Sequence, residues 1–363
     1  MKLKILIITA LTAGLFHCGD LLLAGSGGNQ AAIIPVSVYG TDDRQDVADS
    51  GARMRALSES AVALFLSSGL TKNAASGAYS ITGAQTLGDS RGMANGQRFT
   101  GQVRAAYCSG ALVGDDLIFT AGHCIKESAE GQFDCAKDKL VFGFAVTQKG
   151  GSAPTEFPRA DVYGCKKIVA WKLDRNTGSD YAVIRLSRKV ARRVPLAINR
   201  KSDLRTGDGL FVIGYPDGLP VKIAGNAVVR SMPEDKPFFF TDLDTFHGNS
   251  GSPVFNANTY RIEGILVRGD RDYVRTSSGT MTAEYPQEGG AGEEVTRISE
   301  IKNLLPVTEF EKYLNYQEQE QTRPAPAVKP VPAIYIPGSN RPSIQPAIYI
   351  PDPVPAPAEP MVI

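Results

Sequence analysis

Histidine is scarce in this chain. There are three, and His17 falls in the apolar leader, so any imidazole chemistry of the remaining protein rests on His123 or His247. An excess of one charge is also missing: 39 Lys and Arg against 38 Asp and Glu leave a net charge of +1. That balance argues against a nucleic-acid partner and against attraction to an acidic membrane surface. Beyond the leader no run of about 18 apolar residues occurs, so a transmembrane helix is not expected. Cysteine is limited to five, and Cys18 falls within the leader just after its apolar run, which leaves an even set of four: Cys108, Cys124, Cys135 and Cys165. An even set suits disulfides in an oxidising compartment. Nothing in the sequence calls for a metal or a cofactor.

What is present begins with an export signal over residues 1–26: Lys2 and Lys4 precede the apolar run from Ile5 to Phe16. Two readings of its end stay open. Leu15, Phe16, His17 and Cys18 loosely resemble a lipobox, in which a lipidated Cys18 would hold the protein at a membrane; otherwise a peptidase cuts after Ser26. Either way the mature protein is expected outside the cytoplasm, secreted, periplasmic or on the cell surface. Residues 27–55 read as an N-terminal extension, 56–316 as the main domain and 317–363 as a tail. In the last 41 residues lie 12 of the 23 prolines, a composition that cannot pack a core and reads as a disordered spacer. Within it Pro332–Pro337 recurs as Pro346–Pro351, each copy reading PAIYIP, which suits a short recognition peptide for a partner.

Between these ends the apolar runs are short. Ala61–Leu66, Ala111–Val113, Leu117–Thr120, Leu140–Phe142 and Tyr181–Ile184 form one series; Leu210–Ile213, Val221–Ile223, Pro237–Thr241, Pro253–Phe255 and Gly264–Val267 form another. Two successive sets of about six strands, parted by Gly, Asp and Pro turns, predict an all-β fold of paired barrels or a sandwich. Residues 72–103 read as a long loop and Val38–Arg44 as an exposed stretch. Glu294–Leu314 is the best helical candidate, broken at Pro306, with Thr308 and Glu311 spaced as a capping box.

The sharpest chemical signal is Gly248-Asn249-Ser250-Gly251-Ser252-Pro253. A serine hydroxyl attacks only when a base takes its proton, and the oxyanion it creates needs donors already in place. The flanking glycines let the Gly248 and Ser250 amides converge on one oxygen. His123, in Thr120-Ala121-Gly122-His123-Cys124, is the candidate base, and Cys108, 16 residues before Cys124, predicts a disulfide that fixes the backbone beside it. Cys135 then pairs with Cys165 by elimination. The carboxylate that orients the imidazole should be buried, which favours Asp180 at the head of an apolar strand over Asp174 in a polar loop. His247, three residues before the serine, reads as a pocket wall.

These motifs together resemble the chymotrypsin-fold serine proteases, with His, Asp and Ser in the same chain order. Gly-Asn-Ser-Gly-Ser-Pro and Gly40-Thr41-Asp42-Asp43-Arg44 are similar to the bacterial glutamyl endopeptidase branch and its secreted relatives. The resemblance covers about residues 37–304 and implies two six-stranded antiparallel β-barrels with the triad between them, followed here by a C-terminal helix. It also implies a protein or peptide substrate and a pocket formed by Asp244, Thr245, His247, Leu266, Val267 and Arg268. Two departures stand out. Asn249 lacks the charge that would pair with a newly cut N-terminus, and Leu266 replaces the histidine that reads glutamate. Asp244 then becomes the expected reader of a Lys or Arg side chain, unless Arg268 neutralises it. An esterase using the same triad, or a catalytically silent binding module, are the competing functions.

Overall fold

Twelve strands carry the architecture. Those of the first half are β1 (Ala61–Phe65), β2 (Cys108–Gly114), β3 (Leu117–Thr120), β4 (Lys139–Val141), β5 (Val162–Leu173) and β6 (Asp180–Leu186). They close into an antiparallel barrel in the order β1-β2-β3-β6-β5-β4, with β4 returning to β1. The second half repeats the plan with β7 (Gly209–Gly214), β8 (Lys222–Ser231), β9 (Phe238–Thr241), β10 (Pro253–Asn256), β11 (Ile262–Arg268) and β12 (Glu293–Arg297). Its ring runs β7-β8-β9-β12-β11-β10, and the pairing of β7 with both β8 and β10 closes it. Full closure leaves neither barrel an open edge. The computed structural model describes residues 38–127, 131–201 and 203–323. The leader with Cys18 and the repeats of the proline-rich tail lie outside the described residues. Among the described residues no helix is long and apolar enough to cross a membrane.

Two strands differ from the sequence reading. Strand β5 does not show as an apolar run because Lys166, Lys167 and Lys172 interrupt it; it is amphipathic, and two register shifts re-aim its side chains. Strand β12 lies where a helix is expected from Glu294 onward. Pairing with β9 and β11 on both sides makes Glu293–Arg297 extended, and short 3₁₀ turns follow at Ile298–Glu300 and Lys302–Leu304. The α-helix begins only at Glu309, capped by Thr308, whose Oγ1 accepts the Glu311 N–H at 3.0 Å as the capping-box spacing predicts. That helix continues to Thr322, across the boundary drawn at 316.

Residues 72–103 are also more ordered than a loop, since Tyr79–Ile81 pairs with Leu70–Lys72 and Leu87–Arg91 is a short helix. The Val38–Arg44 stretch is buried rather than exposed at Val38, Tyr39 and Arg44. Val38–Tyr39 pairs in parallel with Glu284–Tyr285, and Gln45–Asp46 adds a strand beside β8. The segment therefore wraps the second barrel through backbone bonds that no side-chain pattern reveals.

The main core fills the first barrel and continues into the second through Phe211, Ile213, Tyr215, Phe255, Ile265 and Val267. A smaller core, with Phe239, Leu243 and Val254 among its members, lies inside the second barrel. Disulfides join Cys108 to Cys124 and Cys135 to Cys165, the pairing read from the sequence.

Candidate active site

His123 sits on a 3₁₀ turn, Gly122–Cys124, at the end of β3. Gly122 is dictated by packing: a Cβ there would lie 2.2 Å from the Lys172 carbonyl oxygen and 2.9 Å from that of Tyr181. Trp171 Nε1 donates to the Gly122 carbonyl at 2.8 Å, and the disulfide at Cys124 holds the other side of the turn. Asp180 opens β6 and is fully buried. Its Oδ1 accepts the His123 backbone N–H at 3.0 Å, and its Oδ2 lies 2.9 Å from His123 Nδ1. A carboxylate there favours the tautomer with the proton on Nδ1, which leaves Nε2 as the acceptor. Thr296 Oγ1 adds a donor to the Asp180 carbonyl at 3.0 Å. Asp174 instead caps an exposed turn, accepting the Asn176 and Thr177 amides.

Ser250 lies in the loop before β10 and lines one cleft with His123. The loop is fixed from the opposite barrel by Ser109, whose N–H donates to the Ser250 carbonyl at 2.8 Å and whose Oγ donates to the Gly248 carbonyl at 2.7 Å. The His247 carbonyl accepts from the Asp217 N–H. Because a trans peptide points its N–H opposite to its C=O, the Gly248 N–H faces away from Asp217. Gly248 has φ +95°, and a Cβ there would lie 2.7 Å from the Tyr215 carbonyl oxygen. Asn249 is buried and turned inward, accepting from Ser252 Oγ at 3.3 Å.

The cleft encloses about 460 Å³. Of the six residues expected in the pocket, Thr245, His247, Leu266, Val267 and Arg268 line it and Asp244 does not. Asp244 is spent on the N-terminal segment: Oδ1 accepts the Tyr39 N–H at 2.8 Å and Oδ2 the Asp43 N–H at 2.7 Å. Nor does Arg268 neutralise it. Arg268 is bonded to Glu294 and leans on Asp180 Oδ2 at 3.4 Å. The acidic residues that do line the cleft are Asp270, Asp272 and Glu293. Sequence reasoning misses Glu293 because it treats the following residues as a helix; Val295 is the one apolar residue of Glu293–Arg297, so no apolar alternation marks the strand.

Burial pushes the Asp244 carboxyl up to about 7, against the pull of the two amides. An acid whose folded pKa is raised binds its proton more tightly in the native than in the unfolded chain. Its contribution to stability therefore falls as pH rises from about 4 to about 7. We expect Asp244→Asn to leave the choice of substrate side chain unchanged. We also expect the stability advantage of wild type over the variant to shrink across that window, by up to about 1 kcal/mol per pH unit. Urea midpoints at several pH values and a cleavage profile check both; a changed side-chain preference would return Asp244 to the pocket.

Two antiparallel six-stranded barrels of identical strand order form the chymotrypsin fold, here with a His–Asp pair on one barrel and a glycine-flanked serine on the other. By fold the chain is therefore chymotrypsin-like, and its residues 108–265 match the family of trypsin-like peptidase domains. Among curated proteins it is similar to a glutamyl endopeptidase of Bacillus licheniformis, 29% identical over 161 residues, 42% of this chain and 46% of that one. It is also similar to a DegP-like periplasmic serine endoprotease of Hahella chejuensis, 29% identical over 126 residues, 33% of this chain and 25% of that one. The matches thus span less than half the length of these relatives. A solved structure of the Vibrio cholerae VesB protease aligns with a TM-score of 0.44 at 14% identity, covering 74% of this chain and 66% of that one.

Proposed function

We propose that the protein is an exported serine endopeptidase that hydrolyses peptide bonds through an acyl-enzyme. The observation that carries this reading is the buried Asp180 carboxylate bonded to both the ring and the backbone of His123, in a cleft shared with Ser250. Ser250 Oγ attacks the scissile carbonyl and His123 Nε2 takes its proton, while Asp180 holds the ring and stabilises the imidazolium. The Gly248 and Ser250 amides receive the oxyanion. His123 then returns the proton to the leaving amine, and water repeats the sequence in reverse to free Ser250. Export is supported by the two disulfides and by the periplasmic name of a relative. The proposed division is a leader over 1–26, an extension over 27–55, the protease domain over 56–316 and a Pro-rich tail with two PAIYIP repeats over 317–363.

The test is incubation of the purified protein with an unfolded protein substrate, followed by sequencing of newly formed N-termini. New amino termini that appear with wild type and not with Ser250→Ala support the reading. Hydrolysis of small esters with no new amino termini would make the protein an esterase instead.

A further inference from the structure

We propose that Glu293 is the group that reads the substrate side chain in this cleft, and that it selects a cation, lysine or arginine. The inference rests on the peptide-hydrolysing reading for the identity of the ligand, and on the pocket itself for its charge. Glu293 is the first residue of β12, held in register by pairing with Thr241 of β9. Its side chain lines the cleft that holds Ser250 and His123, yet the residue is only 1% exposed. Thr245 Oγ1 donates to its Oε2. The Asp270 backbone N–H leans toward the carboxylate, but Oε1 is left without a hydrogen bond of acceptable geometry. A buried carboxylate with an unfilled acceptor is costly, and it stays in a fold when something else fills it.

The surroundings select what can fill it. Asp270 and Asp272 line the same cleft and add negative charge: Asp272 Oδ2 accepts the His247 N–H, and Asp270 Oδ2 accepts the Ala291 N–H. The arginine of the lining, Arg268, is turned to Glu294 and Asp180 and does not compensate them. Gly269 lies directly against the carboxylate, where a Cβ would come 2.0 Å from Glu293 Oε2, so no side chain there crosses the base of the pocket. Burial first, and then the charges of Asp272 and Asp270, push the Glu293 carboxyl well above its usual range. An ammonium or guanidinium entering the pocket reverses that penalty by completing the charge-assisted bonds that Oε1 lacks.

Two ligands of matched shape test this without any turnover. Benzamidine carries a planar cation and benzamide is its neutral counterpart; each is titrated calorimetrically into the folded Ser250→Ala protein. We expect benzamidine to bind about 100-fold more tightly than benzamide, and Glu293→Gln to remove most of that difference. In parallel, kcat/KM is measured for wild type on peptides with arginine or its neutral isostere citrulline before the scissile bond, with arginine favoured about 100-fold. Equal binding of the two ligands, or a preference for citrulline or glutamate over arginine in an active enzyme, overturns the inference and leaves the hydrolytic reading standing. Glu293-dependent benzamidine binding in a protein that cleaves no peptide supports the pocket and overturns the hydrolytic reading. Should Glu293→Gln fail to fold, the comparison of benzamidine with benzamide decides alone.

Discussion

Ser250→Ala and His123→Ala chains should fold as the parent does and lose at least about 10⁴-fold in kcat/KM, roughly 5 kcal/mol of transition-state stabilisation. The expectation of intact folding comes from where each side chain sits. His123 is anchored largely through its backbone: its N–H binds Asp180 Oδ1, and its neighbour Cys124 is tied to Cys108. Ser250 is held through its carbonyl by the Ser109 N–H and is followed by Gly251, whose N–H binds the Leu266 carbonyl at 2.7 Å. Neither substitution touches those bonds. The two losses should also fail to add, because a serine without its base and a base without its serine are equally idle. Kinetics of the single and double variants, with thermal melts alongside, check this. A folded His123→Ala protein with parental turnover would remove His123 from the mechanism.

The second large effect is expected at Gly251. Its φ is +91°, and a Cβ would lie 2.1 Å from the Ser109 carbonyl oxygen and 2.3 Å from Thr120 Oγ1. Both are groups of the opposite barrel, fixed by their own hydrogen bond of 2.7 Å. Alanine must therefore push the serine loop away from the first barrel, which displaces Ser250 relative to His123. Overpacking of this kind costs about 3 kcal/mol, and a displacement near 1 Å costs about 10²-fold in rate. Gly207 is the matched control, with φ +90° and nothing within 4 Å of a Cβ. There alanine meets only the backbone penalty of about 1 kcal/mol, with no loss of rate. Urea midpoints and kcat/KM for the two variants separate the effects. Equal behaviour at both positions would show that the close approach of the barrels at Gly251 does not position the serine.

Much of this is legible in the amino-acid sequence, and the exceptions share a cause. The glycine-flanked serine, the histidine beside a cysteine and the aspartate heading an apolar strand each announce themselves locally, because their chemistry constrains their immediate neighbours. Ten of the barrel strands are visible as short apolar runs for the same reason. Strand β12 is not, because its extended form is imposed by β9 and β11 rather than by Glu293–Arg297 themselves. The pocket is misread where it depends on distant chain: Asp244 faces amides at Tyr39 and Asp43, about 200 positions away in sequence, and no local pattern predicts that capture. Glu293 is hidden by the same failure, since a helical assignment carries no information about which side of a barrel a residue faces.

The proposed mechanism turns on Ser250 being a nucleophile made reactive by His123 within this cleft. A fluorophosphonate probe reports on it directly, because the probe phosphonylates a serine only when a base activates it. Intact-mass analysis of folded protein should show a single adduct, peptide mapping should place it on Ser250, and folded His123→Ala protein should not be labelled on the same timescale. No adduct on folded wild type, or equal labelling with and without His123, would contradict that role for Ser250.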